Sequence, residues 1–218
     1  MRNVVIGDIH GCDELLKRLL FQIDIQPQDT IITLGDYIDR GPDSHGVVET
    51  LIDLQQHCNL ISLRGNHEDL LLRSDEVELQ MTWLHNGAAA TIDSYVKATL
   101  FEGNLTSIYD VVPPHHVEFF KSCKLYHEDD NNIFCHANYD PAIDMHLQSE
   151  NDLLWKHAKN MSIPGPHKSG KKAWVGHTPQ KDSTITDLGH ISLIDVGSSR
   201  SGHLAAVDTI SGKTWYAS

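Results

Sequence analysis

Aspartate, histidine and asparagine recur in this chain at the ends of short apolar runs, in the pattern of oxygen and nitrogen donors gathered around metal. Val4-Val5-Ile6 leads into Gly7-Asp8-Ile9-His10-Gly11, Ile31 to Leu34 into Gly35-Asp36-Tyr37-Ile38-Asp39-Arg40-Gly41, and Leu60 to Leu63 into Arg64-Gly65-Asn66-His67-Glu68. Later, Ile133-Phe134-Cys135 ends in His136, and Trp174-Val175-Gly176 ends in His177. The set holds no thiolate, which favours manganese, iron or zinc over a cysteine-bound structural zinc. Cys12, Cys58, Cys123 and Cys135 form no C-x-x-C pair and read as small buried hydrophobes in a reducing compartment. Donors at five run ends exceed the needs of one ion. Two divalent ions about 3.5–4 Å apart with a shared carboxylate would use them fully, and Asp36 is the best bridging candidate.

To bring these groups together, the apolar runs must be strands whose carboxyl ends share one edge, where open α/β sheets collect their functional groups. Asp8 and Asp36 lie 28 residues apart, and Asp36 and Asn66 lie 30 apart, about one strand-helix-strand unit each. Leu15, Leu16, Leu19, Leu20 and Ile23 recur at helical spacing, as do Val47, Val48, Leu51, Ile52 and Leu54 after Pro42-Asp43-Ser44. The glycine beside nearly every ligand lets the backbone turn sharply and an ion approach. Gly87-Ala88-Ala89-Ala90 with Ile92, Tyr95 and Val96 predicts a helical excursion near the site, a substrate-side cap. His115-His116 after Pro113-Pro114 marks a helix start. From Ser149 to Lys172 five of the chain's 17 basic residues accompany prolines and glycines, which predicts an exposed loop. His45, His57, His85, His127, His146, His190 and His203 show no ligand spacing and read as surface or partly buried residues. Glu68 reads as structural.

Together G-D-I-H-G at 7–11, G-D-Y-I-D-R-G at 35–41 and R-G-N-H-E at 64–68 resemble the PPP-type serine/threonine protein phosphatases of the metallophosphoesterase (calcineurin-like) superfamily. The short chain is similar to its compact bacterial and phage members. The resemblance is specific in the first third. Beyond that it rests on His136, Gly176-His177-Thr178 and Ile194-Asp195-Val196-Gly197. It implies an α/β fold of two mixed sheets packed face to face and flanked by helices. It also implies that Asp8, His10 and Asp36 hold one metal, while Asn66, His136 and His177 hold the other with the same Asp36. Manganese is the expected ion, with iron or zinc as alternatives. A bridging hydroxide would attack phosphorus in line. His67 would protonate the leaving alkoxide, kept charged and oriented by Asp39, while Arg40 and Arg64 grip phosphate oxygens.

Two departures stand out. The family places a phosphate-binding arginine shortly after a tryptophan, whereas here Trp155 precedes Lys156 and His157, and no arginine lies between Arg73 and Arg200. Lys156 or His157 is the expected substitute, with a solvated loop as the alternative. Asn138 stands where many members carry glycine, and asparagine tolerates a left-handed backbone better than most residues.

The 218 residues can bury one substantial core, which reads as one catalytic domain over residues 1–218. No apolar signal core or membrane-length stretch occurs, so a cytoplasmic protein is expected. A formal charge of −13 disfavours nucleic-acid and anionic-membrane partners. The reaction expected is hydrolysis of phosphomonoesters, on a phosphoprotein or a small phosphorylated substrate. One alternative is a dinucleoside polyphosphate hydrolase, whose relatives tend to lack the aspartate found here at Asp39. The other is a non-catalytic scaffold that has lost its metals, which the complete ligand set disfavours.

Overall fold

Alternation within the apolar runs decides how the sheets stack. In β1 (Asn3–Ile6), Val4 and Ile6 join one buried cluster and Val5 another. In β2 (Thr30–Thr33), Ile31 and Ile32 divide in the same way. Both faces of these strands are covered, so the runs read as continuous rather than alternating. A slip of one residue would exchange the two cores, which pins the register.

The computed structural model describes every residue from Met1 to Ser218. One sheet has the order β10-β9-β1-β2-β3, with β3 at Asn59–Ser62, β9 at Leu204–Asp208 and β10 at Thr214–Ala217. The strands β1, β2 and β3 run parallel, and β9 and β10 are antiparallel additions. The second sheet has the order β4-β5-β6-β8-β7, made from β4 (Tyr126–Glu128), β5 (Asn132–Cys135), β6 (Lys172–Val175), β7 (Thr186–Asp187) and β8 (Ile191–Leu193). Here β5, β6 and β8 run parallel. Val5, Ile32, Leu34 and Val207 of the first sheet meet Phe134, Trp174 and Ile194 of the second between the layers.

Helices cover the first sheet's outer face. α1 (Asp13–Ile23) and α2 (Ser44–Leu54) carry the two apolar stripes, and Asp43 caps α2 by accepting from the Gly46 N–H at 2.8 Å. α3 (Asn66–Leu72), α4 (Val77–His85), α5 (Ala88–Thr99) and α6 (Pro114–Ser122) complete that layer, and Pro114 occupies the first turn of α6. The second sheet's far face buries Ile133, Cys135, Ala173, Val175, Ile191 and Leu193. The layers are therefore helix, sheet, sheet and a covering layer that includes the short helix Glu150–Leu154, so both sheets are flanked by helices as expected. No helix is long and apolar enough to cross a membrane.

Two local expectations are corrected. The segment from Ser149 is an exposed loop over most of its length, but not a free one. It opens with α7 (Glu150–Leu154), which buries Leu153 and Leu154, and His167 is buried with Nε2 donating to the Ile143 carbonyl at 2.8 Å. Asn138 is not left-handed either. Its amide donates to the Ser162 carbonyl at 2.9 Å and to the His157 carbonyl at 3.3 Å, which ties that segment down from a buried position.

Candidate metal centre

Six parallel strands deliver six sets of donors to one edge. Asp8 and His10 follow β1; Asp36, Asp39 and Arg40 follow β2; Asn66 and His67 follow β3 and open α3. His136 follows β5, His177 follows β6 and Asp195 follows β8. Asp8, His10, Asp36, Asp39, Asn66, His67, His136 and Asp195 are all buried. Close approach of the loops depends on glycine. A Cβ at Gly65 would collide with the Asp36 carboxylate and backbone, and one at Gly176 would collide with Asp8 Oδ1.

The backbone is strained where the donors sit. His10, Asp36, Asp39, Arg40 and His177 all have positive φ, between 47° and 73°. For residues with a Cβ, such conformations cost on the order of 1–3 kcal/mol each and persist only where the surroundings over-determine them. Glu68 is one such determinant. Its buried carboxylate accepts from the backbone N–H groups of Gly65, Asp36 and Tyr37 at 2.8–2.9 Å, joining the loops after β2 and β3. Burial and the Asp36 charge push its carboxyl up to about 7.

Asp36 is the hub. Its Oδ2 lies 3.5 Å from His10 Nε2 and 3.8 Å from His67 Nε2, and its Oδ1 lies 3.4 Å from His136 Nε2. Burial alone would raise its carboxyl, yet His136, His67, His10 and His177 hold it well below the usual carboxylate range. Burial drives the imidazoles the other way, lowering His10 and His177 to about 3. At neutral pH they are therefore uncharged, the form that ligates a metal.

Hydrogen bonds fix which nitrogen faces inward. His10 Nδ1–H donates to the Ile38 carbonyl at 3.0 Å and His136 Nδ1–H to the Leu34 carbonyl at 2.9 Å, leaving each Nε2 with a bare lone pair. His136 Nε2 then faces Asn66 Oδ1 at 3.1 Å and Asp36 Oδ1 at 3.4 Å, an acceptor facing acceptors. His177 is turned around. Its Nε2–H donates to the Trp155 carbonyl at 3.0 Å, so Nδ1 is the nitrogen available to an ion. Asp8 accepts from the His177 N–H at 2.9 Å, and its carboxyl is raised well above the usual range by burial and by the charges of Asp195 and Asp36. Crowded carboxylates and inward lone pairs fit divalent cations. The arrangement separates into His10, Asp36 and His67 on one side and Asp36, His136 and His177 on the other, sharing Asp36. Arg40 already satisfies the first group with a cation, since Nη1 donates to His10 Nε2 at 2.6 Å and Nη2 to His67 Nε2 at 2.9 Å.

His67 has a second anchor. Its Nδ1–H donates to Asp39 Oδ2 at 2.5 Å, and Asp39 also accepts from Trp83 Nε1–H at 2.8 Å and from Thr91 Oγ1–H at 2.5 Å. Burial opposes the imidazolium, but Asp36 and Asp39 outweigh it and raise the His67 pKa. The predicted excursion is helical, as α5, but no residue of α5 lines the cleft as a substrate-side cap would; Thr91 of α5 and Trp83 of α4 instead hold Asp39, and Asn86 between the two helices reaches the cleft.

A cleft of about 440 Å³ opens over the hub, with Asp36, Arg40, Asn66 and His177 in its floor and walls. His157 lines it too, stacked on His177 with ring centroids 4.4 Å apart. Lys156 does not line it and pairs instead with Asp152 at 2.8 Å. Arg64 also lies outside the lining. It stands 3.9 Å from Asp69 and donates to the Lys121 carbonyl at 3.4 Å. The cleft's further cations are Lys159 and Arg200, which sequence reasoning missed, together with Asn86. Asp195 stood in the motif Ile194-Asp195-Val196-Gly197 without a role assigned to it. It is raised to about 6, first by burial, then by Asp36, and it accepts from the Gly197 N–H at 2.8 Å. The signal for it was another apolar run, Ile191 to Ile194, ending in a carboxylate.

A family model described as calcineurin-like phosphoesterase matches residues 1–203. The chain is 28% identical over 204 residues to serine/threonine-protein phosphatase 1 of Salmonella typhimurium, covering 92% of this chain and 88% of that one. It is 33% identical over 208 residues to serine/threonine-protein phosphatase 2 of the same organism, covering 92% and 89%. A crystal structure provisionally described as a diadenosine tetraphosphatase shares the fold, with a TM-score of 0.73 at 19% identity over 99% of this chain and 92% of that one.

Proposed function

The chain belongs to the calcineurin-like phosphoesterase family, and on that premise we propose that it hydrolyses phosphomonoesters, with phosphoserine and phosphothreonine in proteins as its substrates. The observation that carries this reading is the buried Asp39–His67 pair at 2.5 Å. An alkoxide is too basic to leave unaided, so hydrolysis of an alkyl phosphate needs a proton delivered to the departing oxygen. A phosphoric anhydride, as in a dinucleoside polyphosphate, has an acidic leaving group and gains far less from that donor. Identity of 28% and 33% to two serine/threonine phosphatases along most of their length supports the same choice.

Asp8, His10 and Asp36 would hold one divalent ion, and Asn66, His136 and His177 the other with Asp36. When bound, such a pair lowers the pKa of a water and neutralises phosphate charge. The chain's own residues do the rest. Asp39 keeps His67 in the tautomer with Nδ1–H bound, so that Nε2, which here accepts from Arg40 Nη2 at 2.9 Å, would face the reacting ester once that guanidinium turns to phosphate. In the imidazolium form Nε2–H gives its proton to the leaving oxygen as the phosphorus–oxygen bond breaks. Arg40, Lys159 and Arg200 surround the cleft with positive charge despite the chain's net −13, and so attract a phosphate dianion. The guanidinium fork of Arg40 matches phosphate oxygens. A reducing cytoplasmic location and manganese as the ion belong to the same proposal. Four unpaired cysteines support the first and the nitrogen and oxygen donor set the second.

The test is a panel of phosphoserine peptide, 4-nitrophenyl phosphate and diadenosine tetraphosphate, each assayed with manganese, iron and zinc. The proposal requires the phosphopeptide to show the highest kcat/KM, with manganese best. Preference for the tetraphosphate would replace it with the polyphosphatase reading. Inactivity on all three with metals bound would replace it with a scaffold.

A further inference from the structure

Away from the cleft, three imidazoles converge on one carboxylate oxygen where α2 meets α6. His45 and Glu49 stand one turn apart on α2, and His115 and His116 lie in the first turn of α6. Glu49 Oε1 is 2.9 Å from His116 Nε2, 3.3 Å from His115 Nε2 and 3.7 Å from His45 Nε2. Ordinary hydrogen bonding would spread these donors over both carboxylate oxygens, yet all three face Oε1. The His116 side chain is buried and its Nδ1 lies 2.8 Å from the Tyr95 hydroxyl, which fixes the ring with Nε2 toward Glu49. The rings of His45 and His115 pack against it, with centroids 5.0 and 4.4 Å away.

One donor atom each from His45, Glu49 and His116 lies within 4.8 Å of the other two, a spread that a bound ion would draw in to a coordination shell. In a tetrahedral site with metal–donor bonds of about 2.0–2.1 Å, neighbouring donors lie roughly 3.3–3.4 Å apart. The three distances from Glu49 Oε1 bracket that edge. We propose that His45, Glu49 and His116 bind one divalent ion of the zinc class, with His115 beside them on the exposed side, at a site separate from the dinuclear centre, and that the ion clamps α2 to α6. The chemistry is consistent. Nitrogen and carboxylate donors suit zinc, and Tyr95 orients His116 as an outer partner orients a metal-bound imidazole, with Nδ1–H donating to the phenol oxygen. Burial lowers His116 to about 4, so it is neutral and available. The ion joins segments 66 residues apart, where a cross-link stabilises the fold by the free energy of binding.

The experiment compares the native chain with a His45→Ala/His115→Ala double variant. Both are dialysed against zinc, freed of excess and analysed for metal per chain. The native protein should hold one more ion than the variant. That difference does not depend on how many ions the dinuclear centre takes, so failure of that reading would leave the result interpretable. Zinc should raise the thermal midpoint further in the native protein, and the two midpoints should coincide in chelator. Manganese-supported phosphatase turnover should be unchanged, because none of these residues lines the cleft. Glu49→Gln, which keeps the side chain's shape and loses the anionic donor, should also lose the ion, and it serves if the double variant folds poorly. Equal zinc content and equal zinc-dependent midpoint shifts in all three proteins would overturn the proposal and leave a hydrogen-bonded cluster.

Discussion

Asp39→Asn isolates the charge behind the proton donor from its geometry. Asp39 Oδ2 accepts from His67 Nδ1–H and Trp83 Nε1–H, and Oδ1 accepts from the Thr91 hydroxyl. An asparagine with its oxygen at the Oδ2 position keeps the first two bonds, and its amide can donate to Thr91 once that hydroxyl turns. The fold should therefore survive. Alanine would instead strand the buried His67 and Trp83 donors at about 1–3 kcal/mol each, besides taking the acceptor from the Thr91 hydroxyl, and confound the result. What asparagine removes is the negative charge that, with Asp36, raises the His67 pKa above that of a free imidazole. General acid catalysis is worth roughly 10²–10⁴-fold, or about 3–5 kcal/mol of barrier. For phosphoserine peptide, kcat should fall within that range. For 4-nitrophenyl phosphate, whose phenolate leaves without a proton, it should fall far less. The assay is steady-state kinetics on both substrates, with a melting curve as control. Equal losses on the two substrates, with the melting midpoint unchanged, would refute the role assigned to the Asp39–His67 pair.

Asp36→Asn should lose most bound metal of both kinds, because the hub carboxylate faces both groups of imidazoles; metal analysis after gel filtration measures it. Lys156→Ala should leave KM unchanged since Lys156 pairs with Asp152 outside the cleft, whereas Lys159→Ala and Arg200→Ala should each raise KM for phosphopeptide several-fold, as expected for phosphate-facing charges. In chelator, stability should fall as the medium is acidified. Burial sets His116 at about 4, below the free value of about 6.5, so the fold favours its neutral form. That contribution is complete above pH 6.5 and is lost as pH falls toward 4, and His10 and His177, held lower still, add to the same decline, so urea unfolding across that window should show a fall that His116→Gln lessens without abolishing.

The donors were legible in the sequence because parallel strands buried on both faces leave unbroken apolar runs, and the loop after each run supplies its ligand at once. His10, Asp36 and His136 could be read that way. Which runs share a sheet could not. Nothing local in Val5 or Phe134 says that the two side chains meet between layers, since that contact forms only when separate sheets stack. The cleft's cations were hidden for the same reason. Arg200 arrives from α8 (Ser198–Ser201), some 45 residues beyond Trp155, and Lys159 was submerged among five lysines of similar appearance. Asn138 misled because its residue type fits a left-handed turn, while the chain uses its amide to tether the segment bearing His157. His45 and His116 lie 71 residues apart, and no spacing rule joins them. Only the packing of α2 on α6 does.

The account rests on two ions sharing Asp36, and crystals grown with manganese and measured for anomalous scattering test that directly. Two peaks should flank Asp36, one within bonding distance of Asp8 and His10, the other of Asn66, His136 and the Nδ1 atom of His177. A single peak, or two peaks of which neither contacts Asp36, would contradict the account.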